Sequence, residues 1–303
     1  MKWTVLIILF LCSAAIQAQT ITFNKRFKVS CSNTILTGLE VTDSCHYITG
    51  IARDTAACQV GGLFMRIDSL GEVIDFKVHL DSAESYQMWE PCLRKDVDGN
   101  FIIAGDVLDT TRIAQVAVMK YNQQGDILWK KKHRSLFPNT PYGFIADDLI
   151  VAKDSTYILA GQTGEGFQLL KLDRNGDTLW TRIVDCNYNY CTNHSIVPLT
   201  DGFVVGYVNS DANYDPNHRT QLCVLTKYDY QGNELWSWQN DSSRLLIGAE
   251  DLIQSKNKGW VVATGIGKET FNSDGITTRA AYDGYVFKLD SNRNRVWETQ
   301  LRA

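Results

Sequence analysis

One short phrase occurs five times in this sequence and constrains its fold more than any other feature. The clearest copy, Lys171 to Trp180, reads Lys-Leu-Asp-Arg-Asn-Gly-Asp-Thr-Leu-Trp. The other copies begin at Arg66, Lys120, Lys227 and Lys288. In each one the Gly position follows the Asp or Asn by three residues, and the Trp position follows the Gly by four. Fixed spacing over five copies indicates a repeat architecture.

Each repeat contains four strand-like segments. An apolar segment leads through a tight polar turn into a second apolar strand, and a third strand then enters the Asp-x-x-Gly turn before the Trp-bearing fourth. Strands that are apolar on both faces are buried on both faces. Four strands at a period of about fifty to sixty residues indicate propeller blades. The sequence therefore predicts an all-β chain, a β-propeller of four-stranded antiparallel blades. We expect the blades at approximately 33–80, 88–134, 144–184, 194–241 and 248–302.

The repeated phrase has a structural interpretation. We expect the Asp or Asn and the Gly to form the turn, and the Trp, with its large apolar area and single N–H donor, to wedge between adjacent blades. The residues concerned are Asp68, Asn122, Trp129, Asp173, Trp180, Asp229, Trp236, Asp290 and Trp297. In the first copy Asp75 stands at the Trp position and Phe76 follows, which predicts an outer strand shifted by one residue.

Residues 20–29 alternate like a further outer strand, with no inner three strands before them. This leaves one outer strand too many for five blades. Either five blades close unaided and the early strand is an addition, or the ring is incomplete and belongs to a propeller of six or more blades. We favour the second interpretation slightly.

The N-terminus has the pattern of a signal peptide. Lys2 precedes an apolar run from Trp3 to Leu11, and small residues follow between Ala14 and Ala18. We expect a signal peptide over residues 1–18, a mature propeller domain over 19–303, and a protein that is secreted or at the cell surface. No other apolar stretch is long enough to predict a transmembrane segment in the mature chain.

Seven cysteines follow the predicted signal peptide, an odd number. Disulfides are compatible with export, and Cys186 with Cys191 is the best candidate pair because the two flank one loop. The sequence has no Cys-x-x-Cys pair and no histidine cluster near these residues, so we expect no metal site.

The formal net charge is −4, and no basic patch dominates the sequence, which argues against a nucleic-acid partner. The one basic run, Lys130 to Arg134, follows Trp129 on a predicted outer strand. We interpret it as charge that protects an exposed strand edge. The alternative is a phosphate-binding patch.

The long connecting loops are expected on one face of the predicted propeller. This face carries the links between blades and the loops between second and third strands. Function usually resides on such loops. Exposed Tyr among small polar residues suits a protein or glycan surface, so we expect a protein or glycan partner outside the cell. The alternative is that these aromatic residues pack their own loops. The candidate binding residues are Tyr86, Trp89, Tyr142, Tyr188, Tyr190, Tyr214 and His218.

Catalytic patterns are sparse. The five histidines fall in different strand and loop classes, and the Asp-rich stretches at Asp96 and Asp173 are explained by turn chemistry rather than by calcium. The sequence therefore predicts a secreted, non-catalytic binding propeller, not an enzyme. The alternative is an extracellular polymer-degrading hydrolase or lyase whose carboxylates converge at the mouth of the central channel.

The pattern Asp-x-x-Gly-x-x-Leu-Trp after an apolar strand resembles the tryptophan-docking motif of pyrroloquinoline-quinone-type propellers. The whole chain is most similar to secreted bacterial repeat propellers that are often joined to a C-terminal type IX sorting domain, a domain that we do not recognise in this sequence. The resemblance implies a quinoprotein-like propeller fold. Quinone-dependent dehydrogenases of that kind use a metal-bound cofactor. Because the sequence has no vicinal cysteine pair and no recognisable ligand set, we expect no cofactor and no catalytic residues of that type.

Overall fold

The structure is a computed structural model. It describes residues 33–54, 59–87, 93–108, 110, 113–136, 143–163, 166–185, 191, 195–210, 221–240, 249–271 and 277–301. Within this part of the chain all regular secondary structure is β, and no helix has the length and apolar character of a membrane span.

The strands form five antiparallel sheets in chain order. The first sheet contains β1 (Asn33–Val41), β2 (Cys45–Asp54), β3 (Gln59–Asp68) and β4 (Val73–His79). The second contains β5 (Ser85–Gln87), β6 (Leu93–Lys95), β7 (Phe101–Leu108), β8 (Ala114–Tyr121) and β9 (Ile127–His133). The third contains β10 (Phe144–Val151), β11 (Tyr157–Thr163), β12 (Gly166–Leu172) and β13 (Thr178–Asp185). The fourth contains β14 (Ser195–Pro198), β15 (Phe203–Ser210), β16 (Gln221–Tyr228) and β17 (Glu234–Gln239). The fifth contains β18 (Asp251–Gln254), β19 (Trp260–Phe271), β20 (Thr277–Leu289) and β21 (Arg295–Leu301).

The sheets stack face to face in sequence order, with one apolar core between each neighbouring pair. The innermost strands also contact one another in order, β1 with β6, β6 with β10, β10 with β14 and β14 with β18. Face-to-face sheets whose inner strands follow one another in this way are the blades of a β-propeller. The predicted fold class is therefore confirmed. The second sheet differs in having the short strand β5 beside β7.

The Asp-x-x-Gly turns have the same geometry in all five sheets. In the third sheet the Asp173 Oδ1 atom accepts hydrogen bonds from the backbone N–H groups of Asn175 and Asp177, at 2.8 and 2.9 Å. Gly176 has φ of +80°, a conformation that favours glycine. The equivalent side-chain oxygens belong to Asp68, Asn122, Asp229 and Asp290. These residues therefore form the turn, as the repeat predicts.

The tryptophan of the outer strand packs between sheets. Trp129 is part of the core between the second and third sheets. Trp180 donates its Nε1–H to the backbone oxygen of Tyr230 in the fourth sheet, at 3.2 Å. Trp236 lies 6.3 Å from Trp260 of the fifth sheet, ring centre to ring centre. These three side chains connect the second, third and fourth sheets each to the next one, whereas Trp297 of the fifth sheet is 42% exposed, which corrects its expected position between blades.

The outer strand of the first sheet is not shifted, which corrects the expectation from the sequence. Arg66 pairs with Asp75 in the register in which Lys171 pairs with Trp180. The Arg66 guanidinium donates two hydrogen bonds to the Asp75 carboxylate, at 2.7 and 2.5 Å. An ion pair therefore occupies the position of the tryptophan.

The basic run on β9 is neutralised within the protein. Lys130 and Lys132 both bind the Glu84 carboxylate, and Lys131 Nζ lies 2.7 Å from Asp177 Oδ1. Lys130 also donates to the Tyr86 hydroxyl at 2.8 Å. Three lysines of the run are thus paired with carboxylates of the same chain, and protection of an exposed strand edge by the run stays a prediction.

Candidate active site

Two of the five inner strands carry the same acidic sequence. Residues 146–150 read Ala-Asp-Asp-Leu-Ile on β10, and residues 249–253 read Ala-Glu-Asp-Leu-Ile at the start of β18. In both copies the Ala and the Leu are buried in a core between sheets. The acidic residues between them are therefore held at equivalent positions of the third and fifth sheets, on strands that surround the axis of a propeller.

Asp147 and Asp148 are the two enclosed carboxylates, each with only 8% of the residue exposed, and the hydrogen bonds of Asp148 span three sheets. In Asp148 the Oδ1 atom accepts hydrogen bonds from Arg94 Nη2 and from its own neighbour Leu149 N–H, both at 2.7 Å. Its Oδ2 atom accepts from Ile196 N–H at 2.8 Å. One carboxyl group thus joins the inner strands of the second, third and fourth sheets.

The environment of Asp148 favours its protonated form. Burial raises the pKa of Asp148 to about 6, and the charge of neighbouring Asp147 adds to this effect. The Arg94 guanidinium and the two backbone N–H groups act in the opposite direction, because they stabilise the carboxylate. A carboxyl group with a pKa of about 6 is protonated in about a tenth of the molecules at pH 7, and that fraction can donate a proton.

A β-bulge shapes the strand at this point. The register of β10 against β11 shifts between Ala146 and Asp148, so Asp147 is the extra residue. The Ala146 N–H donates to Asp106 Oδ1 at 2.8 Å, which fixes β10 to the second sheet. Bulges redirect side chains and occur often beside functional sites. This bulge inserts Asp147 between Ala146 and Asp148, the two residues of β10 that pair with β11 on either side of it.

The pair on the fifth sheet is more open. Asp251 Oδ1 accepts from Leu252 N–H at 2.8 Å, the same contact that Asp148 makes with Leu149. Glu250 and Asp251 are both exposed. Partial desolvation nevertheless raises the pKa of Glu250. The two acidic pairs therefore combine an enclosed carboxyl group with a raised pKa on one inner strand and accessible carboxylates on another.

Most of the loop residues that the sequence singled out lie outside the described residues: Trp89, Tyr142, Tyr188, Tyr190, Tyr214 and His218. Tyr86 is described and is 2% exposed, in the core between the first and second sheets. Its ring therefore packs rather than presenting a binding surface, as in the alternative interpretation of these aromatic residues.

The predicted cysteine pair is described only in part. Cys191 is buried, whereas Cys186 lies outside the described residues, so their disulfide stays a prediction. Cys45 and Cys223 are free and buried. Across the described ranges, no three His, Cys, Asp or Glu side chains are grouped so that they could hold a metal ion.

Sequence reasoning missed the acidic pairs, although a signal was present. The recurrence of Ala-acid-Asp-Leu-Ile at the same point of two repeats departs from the purely apolar character expected of inner strands. Aligning the repeats on the polar turn that follows would have placed Asp148 and Asp251 at one position. The shifted pKa depends on Arg94 and Ile196, which come from other sheets, and no local pattern predicts these contacts.

Comparison with known proteins identifies the fold. No family model matches the sequence, and no curated protein matches it. Among solved structures, the NanB sialidase from Streptococcus pneumoniae matches with a TM-score of 0.56 and 10% identity, over 93% of this chain and 64% of that one. An exo-β-1,3-galactanase from Clostridium thermocellum matches with a TM-score of 0.47 and 11% identity, over 91% and 64%. This chain thus spans just under two thirds of either protein.

These findings correct the expectation that the protein is not an enzyme. That expectation rested on the long loops of one face and on the absence of a recognisable catalytic set, whereas two inner strands carry acidic pairs. The sialidase, itself an enzyme by name, shares the fold over nearly the whole of this chain. The resemblance to type IX and tryptophan-docking proteins receives support only for its propeller fold. The chain is a β-propeller protein.

Proposed function

We propose that this protein is an extracellular hydrolase that cleaves glycans at the axis of its propeller, with Asp148 as the proton donor. The observation that carries the proposal is the enclosed Asp148 carboxyl group, which is held by three sheets and has a pKa raised to about 6. The fold shared with a sialidase is compatible with this proposal and does not by itself specify a reaction.

Glycoside hydrolysis generally requires two carboxyl groups. One protonates the oxygen of the leaving sugar as the bond from that oxygen to the anomeric carbon breaks. The other, ionised, either takes a proton from the attacking water or forms a transient bond to the anomeric carbon that water then cleaves. Asp148 suits the first role because burial favours its protonated form. Glu250 and Asp251 are the candidates for the second because they are exposed on the equivalent inner strand.

Arg94 has a positioning role in this scheme. Its guanidinium holds Asp148 through Nη2 and its own strand through the Leu93 carbonyl, at 3.0 Å from Nη1. About a third of its side chain, 36%, remains exposed. The positive charge of Arg94 stabilises the Asp148 carboxylate and therefore limits the rise in its pKa.

The proposed substrate surface rests on the sequence alone. Trp89, Tyr142, Tyr188, Tyr190 and Tyr214 belong to segments that link or enter the sheets, and aromatic rings stack on sugars through their apolar faces. The pattern of residues 1–18 supports export, which would bring the enzyme to extracellular polymers. Both points are part of the proposal.

The test is a hydrolysis assay on the mature chain with a panel of polysaccharides of different linkage and charge, measuring new reducing ends. We expect release from at least one polysaccharide, and a loss of about 10²- to 10⁴-fold in Asp148→Asn, the usual contribution of a general acid. The matched control is Asp177→Asn, an exposed carboxylate bound to Lys131 outside the site. Full activity in a folded Asp148→Asn variant would overturn the assignment.

A further inference from the structure

Among the residues that the structure describes, the outer face of the fifth sheet lacks the contacts that the same face makes in the second, third and fourth sheets. Ile102, Ile158 and Val204 pair with the repeat lysine on that face, and each is 0% exposed. Val261 pairs with Lys288 in the same register but is only half-buried. Every residue of β21 is exposed, including Trp297 at 42%.

The junction between the third and fourth sheets shows what normally covers this face. Lys171 and Trp180 lie opposite each other on β12 and β13. Both donate to the backbone oxygen of Tyr230, the residue after Asp229 in the turn of the next sheet, at 3.3 and 3.2 Å. A Cβ atom on Gly232 of that turn would lie 3.2 Å from the Trp180 ring. Lysine and tryptophan together thus recognise an Asp-x-x-Gly turn.

The fifth sheet presents the same pair of side chains, without a partner in the described ranges. Lys288 and Trp297 lie opposite each other on β20 and β21. Within the described part of the chain, neither side chain takes part in a hydrogen bond, ion pair or ring contact. The lysines of the second, third and fourth sheets also pair with an acid in the first turn of their own sheet, at Asp96, Asp154 and Asp201. The fifth sheet has Ser255 to Gly259 there, without an acidic residue.

We propose that this face binds a further four-stranded β-sheet of the same repeat type, which presents an Asp-x-x-Gly turn to Lys288 and Trp297. The turn carbonyl would accept from Lys288 Nζ and Trp297 Nε1, and the glycine would lie under the indole ring. An apolar sheet face would cover Val261 and Val286. The counterparts of Val286, Leu169 and Leu225, are 0% exposed. A second copy that places its own fifth sheet there would supply the apolar area but not the turn.

The test adds such a sheet to the full chain. A second copy of residues 195–240, which contain the turn Asp229 to Gly232, is attached after Ala303 by a flexible Gly/Ser linker. Trp297 oxidation by hydroxyl radicals, read by mass spectrometry, reports whether the face is covered. We expect a several-fold fall in oxidation of Trp297 and protease resistance of the added segment. Undiminished oxidation together with rapid proteolysis of the added segment would overturn the proposal.

Two variants make the result specific. Gly232→Val in the added segment alone should restore both oxidation and proteolysis, because the new side chain would meet the indole. Lys288→Ala with Trp297→Ala should likewise release the added segment, which is read by its proteolysis because this variant lacks Trp297. Protection that survives both changes would show apolar stacking without recognition of the turn and would contradict the proposal. So would sedimentation showing that the unmodified protein dimerises through this face with Trp297 already protected, since the occupant would then be a second copy.

Discussion

Trp129 of the second sheet lies directly over Gly176 of the third. A Cβ atom placed on Gly176 would come within 2.6 Å of Trp129 Cζ3 and 2.8 Å of Cη2. Those distances are shorter than any ordinary carbon contact, so the glycine is required by the tryptophan as well as by its own φ of +80°. The repeated phrase therefore encodes a contact between sheets as much as a turn within one.

Replacing Gly176 by alanine should destabilise the protein through both effects. The matched control is Gly99→Ala, because Gly99 has φ of +78° and its Cβ would meet only the flexible end of Gln123, at 3.1 Å. We expect each variant to lose about 1 kcal/mol or more from backbone strain, and Gly176→Ala to lose about 1–3 kcal/mol beyond that from overpacking. Urea denaturation measures the difference. Equal losses would mean that the indole moves aside without cost.

The ion pair between Lys120 and Asp96 should contribute far more than exposed pairs do. Lys120 Nζ lies 2.6 Å from Asp96 Oδ2, and their side chains are 8% and 1% exposed. Lys120→Met would leave a buried carboxylate without its counter-ion, which costs about 3–5 kcal/mol. Lys131→Met, which removes a pair with 42% and 61% exposed partners, should cost about 0–1 kcal/mol. Similar unfolding free energies for the two variants would contradict this account.

The repeated phrase predicts the number and order of the sheets. One residue pattern contains both the Asp and Gly that form the turn and the Trp that packs against the next sheet. Asp173 and Gly176 form their turn through bonds within five residues, which a sequence displays directly. The ion pair of Arg66 with Asp75 was not foreseen, since a cross-strand partner replaced the expected tryptophan. At the candidate site, the pKa of the Asp148 carboxyl group depends on hydrogen bonds from Arg94 and Ile196, which are 54 and 48 residues away in the sequence. Local patterns contain no information about such contacts.

Stability should depend on pH through Asp148 in a definite direction. Its folded-state pKa, about 6, is above the ordinary value of 3.8, so the folded state holds the proton more tightly than the unfolded chain does. Asp148 therefore contributes stability below pH 4 that is lost as the pH rises towards 6, up to about 3 kcal/mol. Carboxylates with lowered pKa values, such as Asp201 and Asp290, act in the opposite sense and at lower pH.

The difference between wild type and Asp148→Asn isolates this contribution. Free energies of unfolding at pH 4 and pH 7 give the change for each protein, and the other carboxylates cancel in the subtraction. We expect the wild type to lose more stability than the variant between these pH values. Parallel pH dependence in the two proteins would place the pKa of Asp148 near its ordinary value.

The most direct test of the proposed function is the pH dependence of kcat/KM for glycan hydrolysis, measured for wild type and Asp148→Asn. A proton donor must be protonated, so wild-type kcat/KM should fall on the alkaline side with an apparent pKa of about 6. The variant should lose that limb of the profile together with about 10²- to 10⁴-fold of its activity at the optimum. A folded variant that keeps both the wild-type rate and the wild-type alkaline limb would show that Asp148 is not the proton donor.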